Sequence, residues 1–333
     1  MNLTEKLQLA YYKIRSSRRI LVVGHTSPDA DAIASVGAII DIGLTLGLEV
    51  SAFAEKKMDK VFDFIPHSSL VSSVPPKELN IFDAIIILDC GAISRTALEH
   101  QIRELIKENS RPYIIEIDHH VPQDAYADLE IRLPDKASTT EIIYHLLMAN
   151  QLPVTKILAD CILIGLMTDT GHFLHANSSR EALSVASEML LYGASLSNII
   201  NNTVNNKSFV SLKVWGQALE KMTLDKKTGL AATALSSHDL KDLIETSEEV
   251  FDPEVFGDIV SFMSRLDGVR VSLLLRENGG IVKGSLRTTR DDIDVSKIAG
   301  NWAGGGHQKA AGFALPGRLA KTENGWKVIR SIT

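Results

Sequence analysis

Only two cysteines occur in the 333 residues, Cys90 and Cys161, and they lie outside any paired spacing. That excludes a disulfide framework and a thiolate zinc knuckle, and it suits a reducing, cytoplasmic compartment. A basic excess is missing too: 35 lysines and arginines stand against 41 acidic residues, for a net charge of -6. Duplex nucleic acid therefore has no global electrostatic hold on the chain, which leaves room only for a local basic patch. No internal repeat, low-complexity tract or block of like charge interrupts the sequence. Long apolar runs are also lacking. The longest, from Ala32 to Gly47, is broken by Gly37, Asp41 and Gly43 and is too short to span a bilayer. Charges at Glu5 and Lys6 interrupt any secretory signal, so no membrane partner is expected.

What is present is enough apolar residue, 45% of the chain, for two domains with a core each. Leu3, Leu7, Ala10, Tyr11 and Ile14 follow helical spacing. The first half then alternates short aliphatic runs with longer amphipathic ones. Strands are predicted at 20–24, 49–53, 83–88 and 113–117, and helices near 29–46, 138–149, 155–168 and 180–191. That alternation is the pattern of an α/β fold, a parallel sheet flanked by helices. Asn198, Asn201, Asn202, Asn205 and Asn206 make the chain polar after Gly193 and read as a hinge. The predicted division is a first domain over 1–197, a linker over 198–207 and a smaller α+β domain over 208–333. For the latter, helices are expected near 208–223, 237–244 and 253–265, strands near 229–234, 269–275 and 281–287, and a glycine turn at 304–306.

Three of the four early strands run directly into acidic or histidine clusters. His25, Asp29 and Asp31 follow Ile20-Leu21-Val22-Val23; Asp89 follows Ile85-Ile86-Ile87-Leu88; Asp118, His119 and His120 follow Ile114-Ile115-Glu116-Ile117. Asp169, in Thr168-Asp169-Thr170-Gly171, is a fourth. Each has a purely structural reading. Ser27 can cap a helix that starts at Pro28, Asp89 can turn the chain before Gly91, and Gly171 can terminate a helix after Asp169. Those readings leave the paired histidines and the second carboxylate at 31 without a purpose, whereas one site for two divalent cations uses them all. In an open α/β sheet the carboxyl ends of strands gather at one crevice, so distant clusters would meet. The chain reads as a metal-dependent phosphoesterase.

In the second part, Gly304-Gly305-Gly306-His307-Gln308-Lys309 offers backbone amides, His307 and Lys309 to an anion, or simply a flexible turn after Trp302. It is neither a Walker loop nor a dinucleotide fingerprint. Arg287, after a predicted strand, can hold a phosphate in bidentate fashion or stand exposed at the strand end.

These motifs, in this order, resemble the DHH phosphoesterase superfamily, specifically its two-domain nano-RNase and pAp-phosphatase type, over almost the whole chain. His25-x-x-x-Asp29-x-Asp31 is similar to its first motif, Asp89 to its second, Asp118-His119-His120 to its third and Asp169 to its fourth. Gly304 through Gly312 is similar to the signature of the DHH-associated C-terminal domain. The resemblance implies two manganese ions, one held by His25, Asp29 and Asp89, the other by Asp31, Asp89, His119 and Asp169. Magnesium or another divalent cation would also suit. His120 would contact the scissile phosphate with Asp118 supporting it, and Ser285, Arg287, Gly305, Gly306 and His307 would bind the nucleotide. Ala30 and Ala34 stand where glycine is usual, and His172 where a small residue is usual; the last bears on substrate preference.

By that resemblance the expected partner is short single-stranded RNA or a small nucleotide, cleaved by a hydroxide shared between the two ions, with 3′-phosphoadenosine 5′-phosphate (pAp) as a further substrate. A homodimer is an open expectation. Rival readings are a cyclic or linear dinucleotide phosphodiesterase and a catalytically silent nucleotide sensor. A RecJ-type exonuclease would need an oligonucleotide-binding barrel for which no length remains, and a family II pyrophosphatase lacks the GGGH-type signature.

Overall fold

A computed structural model describes residues 1–55, 60–121, 124–175, 177–205, 207–244, 251, 253, 255–322 and 325–329. The chain forms two compact units, Met1–Asn205 and Asn206–Thr333. In the first, strands β1 (Arg19–Val23), β2 (Glu49–Phe53), β3 (Val71–Ser72), β4 (Ala84–Leu88), β5 (Tyr113–Asp118) and β6 (Leu129–Arg132) form one sheet in the order β3-β2-β1-β4-β5-β6. Every pairing in it is parallel. The helices are α1 (Leu3–Arg15), α2 (Ala30–Thr45), α3 (Glu99–Leu105), α4 (Thr139–Ala149), α5 (Lys156–Asp169), α6 (Arg180–Leu191) and α7 (Leu196–Thr203).

The two-residue period of a strand sends alternate side chains to opposite faces. Ile20, Val22, Ile86, Leu88, Ile115 and Ile117 therefore join the large core with α1, α2, α4, α5 and α6. Leu21, Val23, Ile85, Ile87 and Ile114 join the smaller core under α3. Both faces are covered, which is why these strands read as continuous aliphatic runs. Ile85, Ile86 and Ile87 are fully buried, and each contributes roughly 1.5–3 kcal/mol by leaving water. On the smaller-core face, buried Glu116 accepts hydrogen bonds from Tyr126 Oη at 2.7 Å and Arg132 Nε at 2.5 Å, tying β5 to β6.

Most expected strands and helices lie within two residues of the observed ones, but the helix expected at 208–223 ends at Glu220, the strand expected at 269–275 runs to Asn278, β3, β6 and α3 stand where no element was expected, and two segments differ in kind. The asparagine-rich stretch expected as a linker over 198–207 is helical through Thr203. Ser195 caps it, Ile199 is buried at 1% exposure, and Asn202 donates to Asn198 O at 2.8 Å. Asparagine side chains that bond one turn back serve a helix here, although the same residues favour turns elsewhere.

In the second unit, α8 (Phe209–Glu220) precedes β7 (Thr223–Asp225), β8 (Leu230–Leu235), α9 (Ser237–Ile244), α10 (Val255–Met263), β9 (Val271–Asn278), β10 (Ile281–Arg287), α11 (Val295–Gly300), β11 (Gly305–Gly306), β12 (Ala310–Pro316), β13 (Arg318–Thr322) and β14 (Gly325–Ile329). A mixed sheet runs β11-β12-β10-β9-β8-β7, and β13 pairs with β14. Here lies the second difference: the glycines expected as a turn include a short edge strand, Gly305 pairing with Gly312 and Gly306 with Ala311. A side chain at Gly304 would come within 2.3 Å of Gly312 O, and one at Gly306 within 2.5 Å of Ala310 O. Close backbone approach accounts for those two glycines. Among the described residues no single helix is long and apolar enough to cross a membrane.

Candidate metal centre

Because the sheet is parallel, β1, β4 and β5 end on the same edge, and the chain's order reverses between β1 and β4. That switch point is where a crevice opens in such sheets. His25 follows β1, Asp89 follows β4, and Asp118 closes β5 with His119 and His120 just beyond. Helix α2 brings Asp29 and Asp31, and α5 ends on Asp169.

The structure brings these residues together in three interlocking groups: His25, Asp29 and Asp89; Asp89, His119 and His120; and Asp31, His119 and Asp169. In each, one nitrogen or oxygen per residue lies within 4.8 Å of the others. His119 Nε2 is 3.1 Å from Asp169 Oδ2 and 3.4 Å from Asp89 Oδ1. Asp89 belongs to two of the groups.

Some of the structural roles coexist with this assembly. The cap of α2 is Asp29 rather than Ser27: its Oδ1 accepts from Ala32 N at 3.0 Å, leaving Oδ2 at 4.0 Å from His25 Nε2. Asp89 sits at φ 58°, the left-handed region that aspartate and asparagine tolerate better than most residues. Gly171, at φ 55°, follows the end of α5.

Burial and crowding set the electrostatics. Asp31 and Asp89 are 1% exposed, and their carboxyls are pushed up to about 7, by burial first and by a neighbouring aspartate second. Burial, then Asp31, Asp29 and Asp89, raises Asp169 as well. His25, 2% exposed, has both ring nitrogens buried without a hydrogen-bond partner. Burial lowers its proton affinity to about 4, so the ring is neutral and presents a lone pair. A neutral imidazole without a partner beside crowded carboxylates fits a divalent cation, and an oxygen and nitrogen donor set suits manganese or magnesium better than a thiolate metal. Cys90 is fully buried and donates to Leu88 O at 3.2 Å.

Asp118 behaves differently. Burial opposes its charge, but His120 Nδ1 at 2.8 Å, His120 N at 2.7 Å and Gly91 N all donate to it and hold its carboxyl below the usual range. His120 is correspondingly raised to about 10 by hydrogen bonds with Asp118 and Asp89. It is the protonated member of the histidine pair, whereas burial lowers His119.

Four contributors carried no distinctive sequence signal. Thr139 Oγ1 donates to Asp89 at 2.9 Å, and the amides of Thr139 and Thr140 donate to Asp31 at 2.7 and 3.2 Å. Helix α4 thus points its N-terminus at a carboxylate, the favourable sense of its dipole. The Lys136 backbone favours a proton on His119, against the burial that lowers it. Gly165 of α5 touches the site from below: a Cβ there would fall 2.0 Å from Asp31 Oδ1. The run Ser138-Thr139-Thr140-Glu141 was visible as a helix start, but nothing in it named Asp31 or Asp89 as acceptors.

In the second unit, Ser285 and Arg287 share one face of β10, and Ser285 pairs with Gly312, which pairs in turn with Gly305. Among the described residues Arg287 has no carboxylate partner; its Nη1 donates to Leu286 O at 3.0 Å, and burial lowers its pKa. His307 is exposed in a tight turn, donating from its amide to Ala310 O at 2.8 Å. Lys309 is engaged elsewhere, 2.7 Å from Asp291.

The raised carboxyls make a prediction whose sign is fixed. A folded-state pKa above the unfolded value gives stability that is full below about pH 4 and lost as pH rises through about 7. A bound cation removes the cause. Manganese should therefore raise the Tm more at about pH 8 than at about pH 5, and equal shifts in a thermal melt would contradict this.

Comparison with known proteins places these residues in context. Residues 19–166 match the model of the DHH family, N-terminal domain, and residues 230–332 that of the DHHA1 domain. The chain is 29% identical over 302 residues to the bifunctional oligoribonuclease and PAP phosphatase NrnA of Thermus thermophilus, covering 90% of this chain and 84% of that one. It is 24% identical over 299 residues to the protein of the same name from Bacillus subtilis, covering 89% of each. Its fold matches the crystal structure of an exopolyphosphatase-related protein from Bacteroides fragilis with a TM-score of 0.81, at 24% identity, over 93% of this chain and 90% of that one.

Proposed function

The chain belongs to the DHH family, whose members are metal-dependent phosphoesterases, and we propose that this one degrades short oligoribonucleotides to mononucleotides with two manganese ions. The observation that carries the proposal is the sharing of Asp89 between interlocking ligand groups around a neutral, unpartnered His25. His25, Asp29 and Asp89 would hold one ion, and Asp31, Asp89, His119 and Asp169 the other. Bound there, the pair supplies Lewis acidity and an acidified water for in-line displacement at phosphorus.

The remaining roles belong to the chain's own groups. His120 carries a proton and bonds Asp118 through Nδ1, so its Nε2–H is left to donate to a phosphate oxygen as charge develops there. Asp118 positions that ring and keeps it protonated. Thr139 and Thr140 fix Asp89 and Asp31 so that both carboxylates meet the ions preorganised. In the second unit, Arg287, Ser285, Gly305, Gly306 and His307 would bind a nucleotide. The guanidinium of Arg287, half-buried and without a carboxylate among the described residues, suits a phosphate. Both bacterial relatives are named for a second activity on PAP, and we include pAp among the substrates. The two cysteines, free and buried, suit a cytoplasmic protein.

Turnover on pyrophosphate, a cyclic and a linear dinucleotide, five-nucleotide RNA and pAp tests this, with manganese, magnesium or chelator. Expected are mononucleotide release from RNA and phosphate release from pAp with manganese, none with chelator, and no cleavage of pyrophosphate. Cleavage confined to dinucleotides makes the protein a dinucleotide phosphodiesterase. RNA binding without any product makes it a sensor.

A further inference from the structure

We propose that Arg95 is a substrate-binding residue of this centre, gripping a phosphate oxygen beside His120 with a guanidinium that the fold leaves unused. The inference rests on the phosphoesterase reading and adds to it a residue outside the metal and nucleotide sets. Arg95 lies in a 3-10 turn, Ile93–Thr96, just beyond Asp89. Its position is fixed. Thr26 N, next to His25, donates to Arg95 O at 2.7 Å; Arg95 N donates to Ala92 O at 3.1 Å; Thr96 Oγ1 donates to Ile93 O at 2.7 Å and accepts from Leu98 N at 3.1 Å.

The side chain, in contrast, has no partner among the described residues. It is half-buried, and among the described residues no hydrogen bond or ion pair engages it. Arg103, Arg111 and Arg132 in the same unit all hold carboxylates. The guanidinium nonetheless stands at the site: a Cβ built on Gly91 would lie 3.3 Å from Arg95 Nη1 and 3.5 Å from both Cβ and Cγ of His120. The nearby carboxylates are occupied, Asp118 by Gly91 and His120, Asp89 by Thr139. A partly desolvated guanidinium without an anion is poorly satisfied, and its planar fork matches the oxygens of a phosphate. With cations bound among the aspartates, an anionic substrate is the group that completes it. Gly91 keeps the space between Arg95 and His120 open, at φ 68°.

The test uses the full chain loaded with manganese and two readouts, hydrolysis of bis(p-nitrophenyl) phosphate and calorimetric binding of inorganic phosphate. Arg95→Ala should lower kcat/KM by about 10- to 100-fold and weaken phosphate binding by a similar factor. Manganese affinity and Tm should stay at wild-type values, since the side chain holds nothing in the fold. Arg95→Lys should recover part of the loss, keeping the charge without the fork. Phosphate binding and turnover within twofold of wild type would overturn the proposal, as would a loss that follows a parallel loss of manganese. If the wild-type protein hydrolyses no phosphoester, the phosphoesterase reading fails instead, and the phosphate isotherms of the two variants still decide the role of Arg95.

Discussion

Asp89→Asn should lower manganese-dependent turnover by about a thousandfold or more, equivalent to roughly 4 kcal/mol of transition-state stabilisation. Asparagine is the informative replacement because Asp89 sits at φ 58°, where a residue without a short polar side chain would strain the backbone. The amide oxygen can still accept from Thr139 Oγ1, which now donates at 2.9 Å, so the turn after β4 should persist. What disappears is the charge and the second anionic oxygen, which a residue shared by two ligand groups needs. The metal-free variant should also melt at a higher temperature than metal-free wild type, since one member of a buried, mutually repelling set has been neutralised. Higher intrinsic stability together with lost turnover separates removal of a metal ligand from simple misfolding. Wild-type rates would remove Asp89 from the centre.

Gly165→Ala should damage both fold and activity, against the ordinary expectation for a helix. In an exposed helix interior this change gains about 1 kcal/mol. In α5 the new methyl would fall 2.0 Å from Asp31 Oδ1, 2.2 Å from Thr140 Oγ1 and 2.6 Å from Thr140 Cγ2. Neither neighbour is free to yield: Asp31 is held by the amides of Thr139 and Thr140, and Thr140 is fully buried at the start of α4. Overpacking of this kind costs about 1–3 kcal/mol. A carboxylate displaced by an ångström at a catalytic centre costs about a hundredfold in rate. Denaturant melts and kcat/KM should fall together. A variant more stable than wild type and fully active would show that α5 does not hold Asp31 in place.

Much of the centre was legible because parallel strands announce themselves. Buried on both faces, β1, β4 and β5 are nearly continuous aliphatic runs, and a histidine or aspartate at the end of each is conspicuous by contrast. The sheet's geometry then gathers His25, Asp89 and His119 at one edge. Residues whose types serve ordinary purposes stayed hidden. Thr139 and Thr140 look like any helix start, Gly165 like a tolerated helix glycine, and Arg95 like a solvated loop cation, until tertiary neighbours give each its role. The asparagines of α7 misled for the opposite reason, since turn-forming side chains can bond along a helix once Ile199 anchors it in the core. Gly304 and Gly306 were conspicuous, yet close backbone approach accounts for both; Gly305, with nothing within 4 Å of its missing side chain, is the glycine left free to face a ligand.

Manganese titration with anomalous diffraction addresses the centre itself. Crystals of the full chain grown with manganese should show two peaks, both bonded to Asp89, one also to His25 and Asp29 and the other to Asp31, His119 and Asp169. A single peak, or two that do not share Asp89, would contradict a dinuclear centre at this sheet edge.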